Sequence, residues 1–198
     1  VTLTFSEAVT GFVSADDISV VNANGTLTNM TSADNGVTWT GTFTPSVDTE
    51  DTTNVLTLST DYTDLAGNSG PSATSDNVAI ETLLPTLSAV SIASNNANTT
   101  TLAKVGDVIT LTITPSEAIS TPVINLQLGG VDIADASITY VDTSGSAGTA
   151  WTAAYTTAAG DTGGAVTYSI AFSDLATNAG TEVTASTDSS VVTFNNST

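Results

Sequence analysis

The stretch Val1-Thr2-Leu3-Thr4-Phe5-Ser6-Glu7-Ala8 alternates apolar and hydroxylic residues and then breaks at Ser-Glu-Ala. The same pattern recurs at Ile109-Thr110-Leu111-Thr112-Ile113, followed by Ser116-Glu117-Ala118. Farther along, Asp64-Leu65-Ala66-Gly67-Asn68-Ser69-Gly70 has a partner in Asp174-Leu175-Ala176-Thr177-Asn178-Ala179-Gly180. Glu7 to Glu117, Asp64 to Asp174 and Asn68 to Asn178 are each 110 residues apart, and Trp39 to Trp151 is 112. Self-similarity at a nearly constant offset marks a tandem repeat. The boundary falls near Leu83-Leu84-Pro85, where a Pro follows the apolar run Val78-Ala79-Ile80. The copies are residues 1–84 and 85–198.

Within each copy the period is 2, the period of a strand with one wet face. Val37, Trp39 and Phe43 alternate with Thr38, Thr40, Thr42 and Thr44; Val166, Tyr168, Ile170 and Phe172 alternate with Thr167, Ser169, Ala171 and Ser173. Turn pairs such as Asn24-Gly25, Asn35-Gly36, Gly129-Gly130 and Gly163-Gly164 separate the runs, and no amphipathic helix of more than about two turns is expected. About seven short strands per copy predict an all-β chain of two tandem immunoglobulin-like sandwiches. In copy two the strands A to G fall near 86–93, 108–114, 122–128, 137–142, 150–156, 165–173 and 189–195. Copy one opens at its strand B, so the first sandwich is expected to lack its N-terminal strand and expose an edge.

Composition excludes much of function space. Twenty acids face one base, Lys104, for a net charge of −19, and there is no His, Arg or Cys. Nucleic acid and anionic lipid are excluded as partners, since both are bound through Lys and Arg. No apolar stretch approaches the 18 or so residues of a membrane span, so no membrane insertion is expected. Nucleophilic systems built on His or Cys, and the usual Zn ligands, are missing, leaving only paired-carboxylate chemistry. No enzymatic activity is expected. Thr and Ser make up about a third of the chain, as suits exposed strand faces.

Ser-Glu-Ala closing strand B, the Trp/Tyr-rich strand E and Asp-Leu-Ala-Gly-Asn after strand F together resemble the tandem bacterial Ig-like repeats of large surface adhesins. The opening of copy two, Val90-Ser91-Ile92-Ala93-Ser94-Asn95-Asn96 with Ala103-Lys104-Val105-Gly106-Asp107, resembles a second variant of that family. Glu81-Thr82-Leu83-Leu84-Pro85 stands where such repeats carry an Asp-Thr-Thr-Ala-Pro linker. The resemblance implies an extracellular, cell-surface stalk or extender role, with neighbouring Ig-like repeats of the same or an adjacent chain as partners and Ca²⁺ at domain junctions. Two other roles stay open: a filament or layer subunit assembled by strand donation, and a glycan- or protein-binding adhesin module of unknown ligand.

Loop geometry gives a separate reason to expect Ca²⁺. In a sandwich, loops alternate between the two ends, so Glu117, Asp174 and Asn178 are expected together at the N-terminal end of the second domain. Glu81 lies in the linker entering that end, and Asp48, Glu50 and Asp51, read as an E–F loop, are expected to point toward it. Glu7, Asp64 and Asn68 form the matching set at the top of the first domain. A hard cation taking 6–8 oxygens relieves such carboxylate repulsion. The alternative is that these acids are solvated loop residues. Asp16-Asp17 reads as a turn, and Trp39 and Trp151 read as core.

Overall fold

The computed structural model describes residues 1–196 and is 44% strand and 4% helix, so the chain is all-β as its alternation requires. It divides into two compact units, Val1–Leu83 and a second that begins at Leu84.

The first unit carries β1 (Thr2–Thr4), β2 (Val9–Thr10), a single turn α1 (Ser14–Asp17), β3 (Ile18–Ser19), β4 (Gly25–Leu27), β5 (Thr31–Ser32) and β6 (Thr38–Thr40). There follow β7 (Phe43–Pro45), β8 (Glu50–Asn54), β9 (Thr57–Leu58), β10 (Thr63–Asp64), β11 (Ala73–Thr74) and β12 (Val78–Glu81). They pair in short antiparallel groups: β1-β6-β5, β11-β9-β3, β2 with β10, β4 with β7, and β8 with β12. The alternation from Val37 to Thr44 reads as one strand, yet it is divided at Gly41. β6 pairs with β1, placing Leu3 opposite Trp39, whereas β7 pairs with β4. A Cβ at position 41 would lie 2.9 Å from Met30 Cγ, so Gly lets the backbone pass beneath Met30 as it changes partner.

Phe12, Ile18, Met30, Leu58 and Tyr62 form this unit's core, with Leu3, Phe5 and Trp39 packed against it. Its rings meet at angles, with centroids 4.9 Å apart for Phe5–Tyr62 and 4.8 Å for Phe12–Trp39. The Asp16-Asp17 pair sits in α1, where the buried Asp17 carboxylate accepts from Val13 N (2.7 Å) and Ser59 Oγ (2.9 Å).

The second unit has β13 (Leu87–Ser94), β14 (Leu102–Lys104), β15 (Val108–Pro115), β16 (Val123–Leu128) and β17 (Val131–Asp132). After these come β18 (Thr139–Asp142), β19 (Trp151–Thr156), β20 (Gly164–Ala171) and β21 (Thr193–Asn195). One sheet runs β13-β15-β19-β18 and the other β14-β21-β20-β16-β17. These are the two sheets of an immunoglobulin sandwich, with β14 running parallel to β21 as an added edge. Ile109, Leu111 and Ile113 of β15 are buried while Thr112 and Thr114 face water, and Ile124, Leu126, Leu128, Val166, Tyr168 and Ile170 meet them from the other sheet. Each such side chain contributes about 1.5–3 kcal/mol on burial.

Candidate metal centre

The loop after β20 is built around one carboxylate. Asn178 donates its backbone N–H to Asp174 Oδ1 and its side-chain N–H to Oδ2, both at 2.8 Å. Asp174 N donates to Asn178 O at 3.1 Å, closing the loop on itself. Turning the chain there needs a left-handed residue, supplied by Thr177 at φ 75°. Asp174 is 3% exposed, and an isolated bridge pairs it with Ile119. That bridge, with Ser120 N donating to Ser173 O at 3.0 Å, holds the segment after β15 against the loop. Glu117 lies on that segment, half-buried, with a carboxylate oxygen within 4.8 Å of one of Asp174.

The first unit repeats the construction. Asn68 donates its backbone N–H to Asp64 Oδ1 (2.9 Å) and its side-chain N–H to Oδ2 (2.8 Å), and Ala66 N adds a bond of 2.8 Å to Oδ1. The left-handed position is Gly67, at φ 88°. The Asn68 side chain above all, then the backbone amides, hold the Asp64 carboxyl below the usual carboxylate range. Asp64 pairs with Val9 as Asp174 does with Ile119, and Glu7 and Asp64 line one groove.

The acids expected from the other side of the linker stand differently. Glu50 and Asp51 are not in a loop: they open β8, because the run Glu50–Asn54 finds a partner in β12. Glu50 lies directly opposite Glu81, a like-charge pair that destabilises the ladder. Glu81 Oε1 accepts from Leu83 N at 2.8 Å. The Asp51 carboxylate accepts from Thr53 N (2.8 Å) and Asn24 Nδ2 (2.7 Å), which place it within its own unit, and the Thr53 amide leads in lowering its pKa. Asp48 is exposed in the turn before β8, at φ 51°.

The oxygens of Glu117 and Asp174 are hard donors suited to a hard cation, and each carboxylate oxygen can accept more than one bond. Asn68 and Asn178, read from sequence as ligands, use their side-chain N–H groups to orient the Asp. Sequence reading passed over a second set of structural acids. Asp142 accepts from Gly148 N (2.9 Å) and Ser144 N (2.8 Å), and Asp107 accepts from Lys104 N (2.9 Å) and Asn96 Nδ2 (2.7 Å). The available signal was a neighbouring turn residue, Ser144 two positions after Asp142 and Gly106 just before Asp107.

Residues 1–80 match the bacterial Ig-like domain family. No curated protein matches the chain. Domains of this family are structural, often in surface proteins, and among the described residues no helix is long and apolar enough to cross a membrane. The first unit, built of strands around the single turn α1, is thus similar to bacterial Ig-like domains, and the second unit repeats its marker residues at an offset of 110.

Proposed function

We propose that the two units are non-enzymatic spacer modules of an extracellular bacterial surface protein, stiffened by Ca²⁺ at their junction through Glu81, Glu117 and Asp174. The observation that carries the reading is the pairing of Glu117 with the buried Asp174, two carboxylates within 4.8 Å in a chain that has one Lys and no Arg or His. Glu81 is three residues before Leu84, a reach of at most about 11 Å along the chain. Its opposition to Glu50 gives a cation a further reason to bind.

Ca²⁺ would supply only charge and coordination there. The chain's own groups do the rest: Asn178 orients Asp174, and the bridge to Ile119 holds the Glu117 segment in place. A spacer also fits the surface better than a lectin does. Among the described residues the exposed large hydrophobics are Val and Leu, whereas aromatics such as Trp39, Phe43 and Trp151 are half-buried rather than fully presented for a sugar ring to stack on.

Thermal melts and small-angle scattering in millimolar Ca²⁺ and in EDTA test this. Ca²⁺ at a hundredfold excess over Kd is expected to stabilise by about 2.7 kcal/mol and to narrow the distribution of interdomain distances. Glu117→Gln should abolish both effects and Asp188→Ala neither. Superimposable curves with and without Ca²⁺ would leave these acids as solvated loop residues.

A further inference from the structure

The strand β1 is paired on one side only. Val1 N donates to Gly41 O (2.8 Å), Gly41 N to Val1 O (3.1 Å), and Phe5 N to Val37 O (2.9 Å). The odd residues therefore bond to β6, and the backbone N–H and C=O groups of Thr2 and Thr4 point to the other edge. Among the described residues no strand pairs there. Alongside runs an apolar groove in two stretches of about 320 and 160 Å³, lined among others by Val1, Leu3, Leu56, Leu58 and Val78. A third stretch of about 370 Å³ continues it past Phe5 and Tyr62 to Glu7 and Asp64.

The internal repeat says what belongs in this groove. Thr112 and Thr114, the counterparts of Thr2 and Thr4, pair with Ser91 and Ala89 of β13. Leu111 and Ile113 are 2% and 0% exposed beneath that strand, whereas their counterpart Val1 is 45% exposed and Leu3 half-buried. Val90 and Ile92 supply the cover, and Thr86 exchanges bonds with Ser116, the counterpart of Ser6. A Cβ on Gly180 would meet Phe172 and also Pro85 O at 2.8 Å; on the counterpart Gly70 its nearest neighbours are all atoms of the Tyr62 ring.

We propose that the β1 edge and its groove are a strand-acceptor site for an uncharged extended segment of the Leu84–Ser94 kind. Such a segment carries a Pro and then branched apolar residues at alternate positions, and adds antiparallel to β1 at Thr2 and Thr4. The repeat identifies the occupant through the Ser91–Thr112 and Ala89–Thr114 pairs, and charge excludes an acidic one. The groove carries Glu7 and Asp64 at one end and Asp76 at the other and no base, and residues 84–94 contain no charged side chain. A second intact copy is a poor occupant, because its own β13 is engaged with β15 and each copy carries −19.

The test uses the 198-residue chain, a synthetic peptide of residues 84–94, and a fusion placing residues 84–107 ahead of Val1. Hydrogen exchange is read at the Thr2 and Thr4 amides. Peptide at millimolar concentration, or the fusion, should slow exchange at both at least tenfold and raise the melting midpoint of the first unit. A peptide bearing Val90→Asp and Ile92→Asp should do neither. Unchanged exchange with both peptide and fusion, or equal protection by the Asp-bearing peptide, would overturn the proposal. So would concentration-dependent dimerisation that protects the two amides without peptide.

Discussion

Asn178 grips Asp174 with two hydrogen bonds of 2.8 Å, one from its backbone and one from its side chain, so that the two carboxylate oxygens are held at fixed positions in a loop of five residues. Asn68 does the same to Asp64. This makes the Asp-Leu-Ala-x-Asn motif a self-contained clamp, independent of what the carboxylate later binds. Asn178→Ala removes the side-chain bond to a charged, buried acceptor and should cost the second unit about 2 kcal/mol. Chemical denaturation followed by near-ultraviolet circular dichroism checks it, and an unchanged midpoint would show the clamp to be idle.

Thr177 occupies the left-handed position that Gly67 fills in the other copy. A β-branched residue there costs on the order of 1–3 kcal/mol, partly offset because Gly loses more freedom on folding. Thr177→Gly should therefore raise the stability of the second unit by about 1 kcal/mol, measured by calorimetry. The reverse change, Gly67→Thr, should lower that of the first.

Acid should weaken the fold through its capped carboxylates. The Thr38 amide, with the Thr38 and Ser32 hydroxyls, lowers the Asp34 carboxyl to about 2, and Asp51, Asp64, Asp107, Asp142 and Asp188 are also lowered by hydrogen bonds. Folded values below unfolded ones mean a contribution complete above about pH 4 and lost as pH falls toward 2. From pH 7 to 4 the relief of the −19 charge acts the other way. The melting temperature should rise and then fall across this range, with a shallower acid limb in Asp34→Ala. A continuous rise down to pH 2 would contradict the capping account.

Equivalent core positions should differ between the copies. Ile113 is fully buried under β13, so Ile113→Ala should cost about 3 kcal/mol. Leu3, its half-buried counterpart, should cost roughly half as much on Leu3→Ala, since part of its surface is already in water. Separate unfolding transitions for the two units, followed by calorimetry, provide the measurement. Equal losses would mean that the β1 edge is covered in solution.

The repeat, the all-β class and the inward Trp39 and Trp151 were legible in the sequence, because strand alternation and a constant offset are local properties. Each Trp proves to donate its indole N–H to the carbonyl of a left-handed Gly three residues earlier, Gly36 at 3.2 Å and Gly148 at 3.1 Å. Other features depended on which segments meet in space. Glu50 and Asp51 look like loop acids until β12 arrives beside them and turns the run into a strand. That Asn68 and Asn178 orient the Asp four residues before them emerges only when folding points their N–H groups at its carboxylate. Ser32 and Asp142 show the same limit: both lie opposite a Trp and accept from a Gly amide, yet one uses a hydroxyl and the other a carboxylate. Alternation records only which face a residue occupies; which hydrogen bond its polar atoms make is decided by a neighbour that the chain brings from far along its length.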